Sequence, residues 1–499
     1  MNFDRDSCYT AMRSRDRRFD GRFFVGVHTT GIYCRPICPA PTPKLQNIDF
    51  YACAAAAEDA GFRPCRRCRP ETAPGTPAWL GSSAVVARAL RLIRAGAMDE
   101  DGVGRLADRL GIGARQLRRL FEQHLGTSPA AIARARRVHF ARVLVDDSDL
   151  PMTRVAFAAG FRSVRQFNHA VRATFGDAPR ALRRRRRRAT PAAGDPLTIR
   201  LPYRPPFDWQ ALLRFLAVRV TPGVEAVRGD SYHRTVAIDG GVGTITVEPA
   251  PQGTALLLRL RLTECACALE VVERVRRVFD LDADPLQIAG HLARSAVLRP
   301  LVAAAPGMRV PGAWDPFELA VRGILGQQVT VVAATTLAGR LANAFGVAVD
   351  CGDGLTRLFP RPQDLADADV ASIGIPRSRA ETVRALAAAV ASGEPVLDAS
   401  RGYEAAVARL CAIPGIGAWT AHYIAMRGLA EPDAFPAGDL GVRKALGNGA
   451  GPLSAASVER LSDAWRPWRA YAVMHLWASL HDTDPGGRRS VGAAGRRKG

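Results

Sequence analysis

"GIYCRPICPA", residues 31–40, places two cysteines four positions apart around a Cys-Arg-Pro step. A second pair follows after 26 residues, Cys65 and Cys68 in "FRPCRRCRP". Two close thiol pairs, each on a tight turn, supply the four soft ligands of tetrahedral zinc. Free buried cysteines would not explain this pairing. The spacing therefore predicts one zinc ion held by the four thiolates of Cys34, Cys38, Cys65 and Cys68.

Length and composition indicate an intracellular protein of several domains. With 499 residues, of which 47% are hydrophobic, the chain can bury three or four separate cores. The first residues lack an apolar segment, and no run approaches the roughly 20 apolar residues of a membrane span. We therefore expect a cytoplasmic protein with no membrane partner. In a reducing compartment, Cys8 and Cys53 are expected to be packing residues, since neither has a partner at ligand spacing.

Positive charge is concentrated at the front of the chain. The net charge is +22, and residues 1–188 contribute +18 of it, from 35 basic and 17 acidic residues. The remaining residues contribute only +4. This asymmetry predicts that the front of the chain meets a polyanion such as DNA.

The cysteine motifs extend into a recognisable pattern. "TTGIYCRPICPA" and "FYACAAAAEDAGFRPCRRCRP" resemble the N-terminal methyl-acceptor domain of the Ada adaptive-response regulators, over nearly all of residues 3–72. The resemblance implies that Cys34 accepts a methyl group irreversibly from a methylated DNA phosphate, while the other three thiolates complete the zinc site. Once Cys34 becomes a thioether, the site loses one negative charge and repels DNA phosphates less. Damage would thereby be converted into tighter DNA binding and transcriptional activation.

Two helix-turn-helix patterns follow in tandem. "LADRLGIGARQLRRLFEQHLGTSP" (106–129) and "VAFAAGFRSVRQFNHAVRATFGDAP" (155–179) each join two apolar-faced helices at a glycine. The pair resembles the AraC-type DNA-binding domain over about residues 84–183, which implies promoter DNA and RNA polymerase as partners. Polar positions on the expected recognition helices can contact phosphate, base edges or only solvent. They are Arg115, Gln116, Arg119, Arg165 and Gln166.

A different DNA-binding motif lies near the C-terminus. "LCAIPGIGAWTAHYIAMRGLA" (410–430) predicts two helices joined by a hairpin, whose Gly415 and Gly417 let backbone N–H groups approach a phosphate. "FPAGDLGVRKAL" follows, with Asp439 opening a helix 22 residues past Gly417. By position alone, Asp439 is equally well explained as a helix N-cap.

Together these stretches resemble the helix-hairpin-helix, Gly/Pro-rich, Asp-containing glycosylase superfamily. "DPFELAVRGILGQQVTVVAATTLAGRLANAFG" and "WRPWRAYAVMHLW" narrow the resemblance to the 3-methyladenine DNA glycosylase II family, over roughly residues 197–482. It implies that Asp439 is the catalytic carboxylate and that Gln328 stands where a residue wedges into the duplex. The residues that it implies at or near the base pocket are Trp419, Tyr423 and Trp468.

The residue types agree with that chemistry. An alkylated purine carries positive charge and leaves readily, so aromatic faces can hold it after base flipping. Asp439 would stabilise the oxocarbenium-like sugar and orient water. Lyase members of the superfamily carry a lysine where this chain has Trp419, so we expect base release with the strand left intact. His422 and His475 are expected to be packing or capping residues.

The sequence thus predicts a monomeric, multidomain regulator and repair enzyme, a DNA-3-methyladenine glycosylase II with a suicide methyltransferase domain. Two alternatives remain: a transcription regulator whose glycosylase-like part is only a DNA-binding scaffold, and an excision enzyme whose front half adds nonspecific affinity. The Pro-Cys-His-Arg motif of an O6-alkylguanine acceptor is absent from the chain, so we expect no O6-methylguanine repair. The predicted domains are a small α/β zinc module (1–75), an all-α tandem helix-turn-helix domain (80–184), a basic linker (185–196), an α+β glycosylase made of an antiparallel sheet subdomain (197–310) and a helical helix-hairpin-helix domain (311–485), and a polar tail (486–499).

Overall fold

The zinc module is built on a small mixed sheet. The computed structural model describes residues 4–74, 84–99, 102–185, 196–238, 241–262, 268–351, 354–447 and 451–482. Most of the predicted basic linker, part of the arginine run 183–188 and the tail lie outside these residues. The strands run in the order β3-β1-β2-β4, with β2 and β4 parallel and the other pairs antiparallel. The elements are α1 (Arg5–Arg13), β1 (Phe24–Val27), β2 (Ile32–Cys34), β3 (Ile48–Tyr51), α2 (Ala54–Asp59) and β4 (Arg63–Pro64).

Seven helices form the next module, as the helical periodicity predicts. Both predicted turns are present, since Gly111 and Gly160 follow the first helix of each motif with φ of +72° and +78°. Glycine adopts this left-handed conformation without a steric cost. The helices are α3 (Ala84–Arg94), α4 (Val103–Leu110), α5 (Ala114–Leu125), α6 (Pro129–Asp147), α7 (Met152–Ala158), α8 (Val164–Phe175) and α9 (Pro179–Arg184).

The alternating runs after residue 196 form the predicted antiparallel sheet, in the order β5-β9-β8-β7-β6. Its apolar face shares one core with α6 to α8, in which Val138, Phe167 and Leu258 are all fully buried. The elements are β5 (Leu197–Pro202), α10 (Trp209–Ala217), β6 (Glu225–Arg228), β7 (Ser231–Ile238), β8 (Gly241–Pro249), β9 (Ala255–Leu262), α11 (Ala268–Val278), α12 (Pro285–Leu292) and α13 (Leu298–Ala304).

The last module is mainly helical and contains the predicted hairpin, with one helix ending at Cys411 and the next starting at Ala418. None of the helices in the described part of the chain is long and apolar enough to cross a membrane. The helices are α14 (Pro316–Leu325), α15 (Val331–Phe345), α16 (Pro362–Leu365), α17 (Arg377–Ala391), α18 (Tyr403–Cys411), α19 (Ala418–Arg427), α20 (Leu440–Leu446), α21 (Ala455–Ser462) and α22 (Arg469–Asp482).

Arginines join the modules. From α3, Arg91 pairs with Glu431 and Arg94 Nη1 lies 2.6 Å from Asp282 Oδ2, both in the glycosylase. The zinc module contacts the same region, because the fully buried Arg204 donates to the carbonyl oxygens of Gly21 at 3.2 Å and of Asp282 at 3.1 Å. Ion pairs removed from water are costly to break on one side only. The modules therefore pack as neighbours and not as separate units on long tethers.

The zinc module also packs on the long helix α6 between the two helix-turn-helix motifs. Alanines of α2 and α6 meet in a small apolar cluster. Beside it, His139 Nε2 of α6 lies 2.7 Å from Glu58 Oε1 of α2, and the hydroxyl of Tyr33 donates to the same oxygen at 2.8 Å. Tyr33 directly precedes Cys34, so this contact links the metal site to the DNA-reading helices.

The junction carboxylate of Asp282 makes a testable contribution to stability. Burial opposes its ionisation, but the guanidinium groups of Arg276 and Arg94 outweigh burial and hold the pKa of this carboxyl at about 2, against the usual 3.8. A carboxyl with a lowered folded pKa stabilises the fold above its unfolded pKa. Asp282→Asn should therefore lower the free energy of unfolding by about 2 kcal/mol at pH 7. Denaturant titration measures this difference, which should shrink as the pH falls from about 4 towards 2. The exposed Glu394→Gln is the control, and an equal effect of both substitutions would contradict the prediction.

Candidate metal centre and base pocket

The four predicted cysteines come together. Cys34 ends β2, while Cys65 and Cys68 follow β4, the parallel neighbour of β2. The four sulfur atoms all lie within 4.8 Å of one another, and Cys38 Sγ is 4.0 Å from Cys65 Sγ. Zinc–thiolate bonds of about 2.3 Å in a tetrahedron place sulfurs about 3.8 Å apart. The cluster therefore fits a single tetrahedral zinc ion.

Arg35 fastens this cluster from the side. Its backbone N–H donates to Cys68 Sγ at 3.4 Å, and its side chain donates to the Cys68 carbonyl oxygen at 3.1 Å and to Thr72 Oγ1 at 2.9 Å. Asp20, which is 4% exposed, accepts from Arg35 Nε at 2.8 Å. The hydrogen bonds of Arg35 therefore hold the segment of Cys34 against the segment that follows Cys68. Cys34 remains partly exposed, whereas Cys65 and Cys68 are buried.

The other two cysteines of this module lie in packing positions. Cys8 and Cys53 are 6% and 2% exposed. Burial raises the pKa of Cys8 to about 11 and that of Cys53 to about 12. Both thiols therefore stay protonated at neutral pH and are poor nucleophiles.

The predicted DNA-reading side chains face solvent. α5 and α8 bury one face each, through Leu117 and Phe121 and through Phe167 and Val171. The opposite faces carry the five exposed candidates Arg115, Gln116, Arg119, Arg165 and Gln166. Helix-turn-helix domains present this face of the second helix to the major groove.

The C-terminal hairpin requires its glycines for two different reasons. Gly415 has φ of +87°, and a Cβ there would lie 2.0 Å from Thr382 Oγ1, so a side chain is excluded. Gly417 precedes α19, and a Cβ there would meet nothing within 4 Å. Its open surroundings leave the first N–H groups of α19 accessible to a phosphate.

Asp439 is an N-cap and also lies in a ring of aromatic side chains. Its Oδ1 accepts from the backbone N–H of Val442 and from Trp477 Nε1, both at 2.9 Å. Its Oδ2 accepts from Trp419 Nε1 at 2.9 Å. Asp439 therefore caps α20, and the same carboxylate is also held by two indole N–H groups. Three donors on two oxygens fix the orientation of the carboxylate.

Two stacked aromatic pairs flank this carboxylate. Trp419 stacks on Tyr423, with ring centroids 5.4 Å apart and planes 9° apart. Trp477 stacks on Phe215 at 6.5 Å and 13°. Phe215 belongs to α10, so the sheet subdomain contributes one ring to this aromatic cluster. A positively charged purine can bind between such faces by cation–π attraction.

Two arginines contact the rings of Phe215 and Tyr423. Arg427 is 3% exposed, lies 4.9 Å from the ring centre of Phe215 and donates to the hydroxyl of Tyr423. Arg219 lies 3.8 Å from the ring centre of Phe215. Burial opposes ionisation of the Tyr423 phenol, but Arg427, Arg219 and Arg322 outweigh burial and lower its pKa below 10.0. Tyr423 is therefore held in place by charge as well as by stacking.

Trp468, the third residue predicted at or near the base pocket, is buried. It is 4% exposed in the core of the helical module and packs edge-to-face on Tyr471. The residues that sequence reasoning missed are Trp477, Phe215, Arg219 and Arg427. Trp477 ends the motif "WRPWRAYAVMHLW", so a signal for it was present. Phe215 has no such signal, because it is about 200 residues away from Asp439 in the chain.

Gln328 lies at an exposed, strained turn between α14 and α15. Its φ of +57° is uncommon for a residue with a side chain. The neighbouring Gln327 fixes the turn, since its Nε2 donates to the Gly415 carbonyl oxygen and to Thr420 Oγ1, each at 3.0 Å. Gln328 is thereby positioned on the same surface as the hairpin.

The two histidines are unsuited to acid–base chemistry near neutral pH. Burial lowers the pKa of His475 to about 4, and His475 is only 5% exposed. Burial also lowers the pKa of His422. Both side chains are neutral packing groups.

Family models match each module in turn. They are the metal binding domain of Ada (residues 7–71), a helix-turn-helix domain (106–185), the AlkA N-terminal domain (198–315) and the HhH-GPD superfamily base excision DNA repair protein (321–470). The fold and these matches define a class, in which an Ada-type metal-binding module and a helix-turn-helix module are fused to a helix-hairpin-helix DNA repair glycosylase. The predicted fold class is confirmed.

A relative from Mycobacterium tuberculosis (strain CDC 1551 / Oshkosh) has the name "Probable bifunctional transcriptional activator/DNA repair enzyme AlkA". It is 45% identical over 484 residues, covering 96% of this chain and 97% of the relative. The chain therefore belongs to this AlkA family of bifunctional transcriptional activator/DNA repair enzymes.

Further matches concern the C-terminal part alone. DNA-3-methyladenine glycosylase 2 of Escherichia coli (strain K12) is 36% identical over 280 residues, which cover 56% of this chain and 95% of that protein. The structure of 3-methyladenine DNA-glycosylase from Archaeoglobus fulgidus aligns with a TM-score of 0.50 at 22% identity, covering 56% of this chain and 98% of that one. The structural match shows the same fold in the glycosylase part.

Trp477 provides a test of the pocket geometry. Trp477→Phe keeps an aromatic ring but removes the donor to Asp439 Oδ1, so the carboxylate should lose orientation. We expect the single-turnover rate of base release to fall by about tenfold, as for the loss of about 1.4 kcal/mol. The matched control is Trp465→Phe, since Trp465 is buried against Phe435 outside the pocket. Equal rates for the two variants would contradict a role for Trp477 at the carboxylate.

Proposed function

We propose that this protein senses and repairs alkylated DNA with two separate chemistries. Cys34 accepts a methyl group from DNA methylphosphotriesters and switches on transcription, while a monofunctional glycosylase excises alkylated bases such as 3-methyladenine. The observation that carries the proposal is the carboxylate of Asp439, which is held by Trp419 and Trp477 between two aromatic stacks.

The methyl transfer needs only an accessible thiolate. The Cys34 sulfur attacks the methyl carbon, the S–C bond forms, and the C–O bond breaks with its electron pair going to the phosphate oxygen. The leaving group is an ordinary phosphodiester anion, so no separate acid is required. Cys34 and Cys38 are both partly exposed, while Cys65 and Cys68 are buried. Of the two exposed thiols, the resemblance to the Ada methyl-acceptor domain points to Cys34, the first cysteine of the Cys-Arg-Pro-x-Cys motif.

The metal expected here is one zinc ion on the four thiolates. A bound zinc ion keeps cysteine sulfurs ionised at neutral pH. Arg35 holds the loop that carries Cys34 through Asp20 and the Cys68 carbonyl oxygen. Conversion of Cys34 to a thioether removes one negative charge close to the contact between Glu58 and His139 of α6.

The glycosylase mechanism follows from the fixed carboxylate. A flipped alkylpurine would stack on Trp419 and on Trp477, and its positive charge would make it a good leaving group without protonation. Asp439 would stabilise the oxocarbenium-like sugar and orient the attacking water. Gln328 and Gly417 would contact the duplex beside the extruded nucleotide. Trp419 occupies the place of a lyase lysine, so the product would be an abasic site in an intact strand.

The remaining partners follow from the helix-turn-helix module. We propose that the chain binds promoter DNA as a monomer through α5 and α8, and that it recruits RNA polymerase there. Five exposed polar side chains on these helices support DNA contact.

Cys34→Ser tests the methyl acceptor. Incubated with DNA carrying methylphosphotriesters, the wild-type chain should gain the mass of one methyl group on Cys34, and the variant should gain none, because a serine hydroxyl is a far weaker nucleophile than a thiolate. Mass spectrometry of the intact protein and its peptides gives the answer. Cys8→Ser is the control. Methylation of the Cys34 variant at a normal rate would refute the assignment.

Asp439→Asn tests the catalytic carboxylate. The amide can still cap α20 but carries no negative charge, so release of 3-methyladenine should fall by at least about a hundredfold with the fold intact. Base release and thermal unfolding are measured on the same samples. Near-wild-type release would refute the role of Asp439. Absence of base release by the wild-type chain itself would favour a glycosylase-like scaffold that only binds DNA.

A further inference from the structure

A loop of the glycosylase lies against the first helix-turn-helix motif. Arg88 Nε of α3 donates to the Ser400 carbonyl oxygen at 3.1 Å. Beside it, Arg401 Nε lies 3.9 Å from the point that a Cβ on Gly111 would occupy. Gly111 is the turn between α4 and α5. A side chain from the repair module therefore borders the DNA-reading turn of the regulatory module.

The loop has a fixed shape. Two of its backbone N–H groups bond within the loop: Ser400 N donates to Asp398 Oδ1 at 2.7 Å, and Gly402 N donates to the Ala399 carbonyl oxygen at 3.0 Å. Ser400 is only 6% exposed. Arg401 thus extends from an ordered base.

The position of the loop relative to the helix-turn-helix is fixed as well. The junction of α3 with the glycosylase includes the ion pair of Arg91 with Glu431, whose side chain is 4% exposed, and that of Arg94 with Asp282. Separating these groups would leave buried charges without partners. The two modules are therefore expected to keep this arrangement when DNA binds.

Charge distinguishes Arg401 from its neighbour. Arg109 Nη2 lies 3.5 Å from Asp398 Oδ2, so the charge of Arg109 is offset within the protein. Arg401 is exposed, and in the described part of the chain no carboxylate lies within ion-pair distance of it. Its guanidinium is available for an external anion.

The docking geometry of helix-turn-helix motifs indicates that the anion bound by Arg401 is a DNA phosphate. The first helix of the motif crosses the DNA backbone, and the N-terminus of the second enters the major groove. The turn between them consequently lies at the edge of the groove, where phosphates line the DNA. A guanidinium is well suited to a phosphate at that position.

We propose that Arg401 of the glycosylase module contacts a DNA phosphate beside the site read by α5, so that the repair module forms part of the promoter-binding surface. This inference rests on the proposed promoter binding by α5 and α8.

The test measures binding of the full-length, zinc-loaded chain, methylated at Cys34, to one duplex. That duplex is selected from a random-sequence library by its binding to the wild-type protein. A second duplex with the same bases in scrambled order measures nonspecific binding. Arg401→Gln should weaken binding by about threefold and reduce the slope of log K against log salt by about 0.9, as expected for one lost phosphate contact. The same factor should apply to both duplexes, because a phosphate contact carries no sequence information.

The matched control is Arg294→Gln, which removes the same charge from an exposed arginine just after α12 of the glycosylase. Arg401→Glu should weaken binding further than Arg401→Gln. If Arg115→Ala weakens binding but Arg401→Gln behaves like Arg294→Gln, the inference about Arg401 is wrong and the proposed promoter binding stands. If the library yields no enriched sequence, the proposed promoter binding fails, and this inference fails with it.

Discussion

Arginine–carboxylate contacts between modules are the constraint on which the overall arrangement depends. The carboxylate of Asp282 forms ion pairs with Arg94 of the regulatory module and with Arg276 of its own module. The carbonyl oxygen of Asp282 accepts a hydrogen bond from the buried Arg204, which also donates to the carbonyl oxygen of Gly21 in the zinc module. Asp282 thus contacts the regulatory module directly, through Arg94, and the zinc module through Arg204. Because the groups are largely withdrawn from water, loss of a single partner would leave an uncompensated charge, so the junction favours one arrangement over many.

The two reactive sites share a strategy. Each places an electron-rich group, the Cys34 sulfur or the Asp439 carboxylate, among neighbours that fix its surroundings, and in the proposed function each would meet an electron-poor lesion. At the metal site, Arg35 and Asp20 hold the loop. In the base pocket, three hydrogen-bond donors hold the carboxylate. Preorganisation of this kind removes the need for the reacting group to reorient during the chemical step.

A chain of contacts joins the metal site to the helix-turn-helix module. Tyr33, next to Cys34, shares the Glu58 carboxylate with His139 on α6. α6 lies between the two helix-turn-helix motifs and packs against both. The backbone neighbour of Cys34 is therefore linked through Glu58 to the helix that lies between the two helix-turn-helix motifs.

The sequence by itself determined the elements and the chemistry that are local in the chain. Thiol spacing gave the cysteine quartet, glycines gave the two turns and the hairpin, and alternating runs gave the antiparallel sheet, because each of these depends on residues close in sequence. Tertiary structure alone decided the composition of the base pocket and the packing of the modules. Phe215 of the sheet subdomain stacks on Trp477, which donates to Asp439, and Arg219 lies over the ring of Phe215. Arg401 borders Gly111 across modules. Contacts between residues hundreds of positions apart depend on how helices and sheets pack, and no local periodicity records that packing.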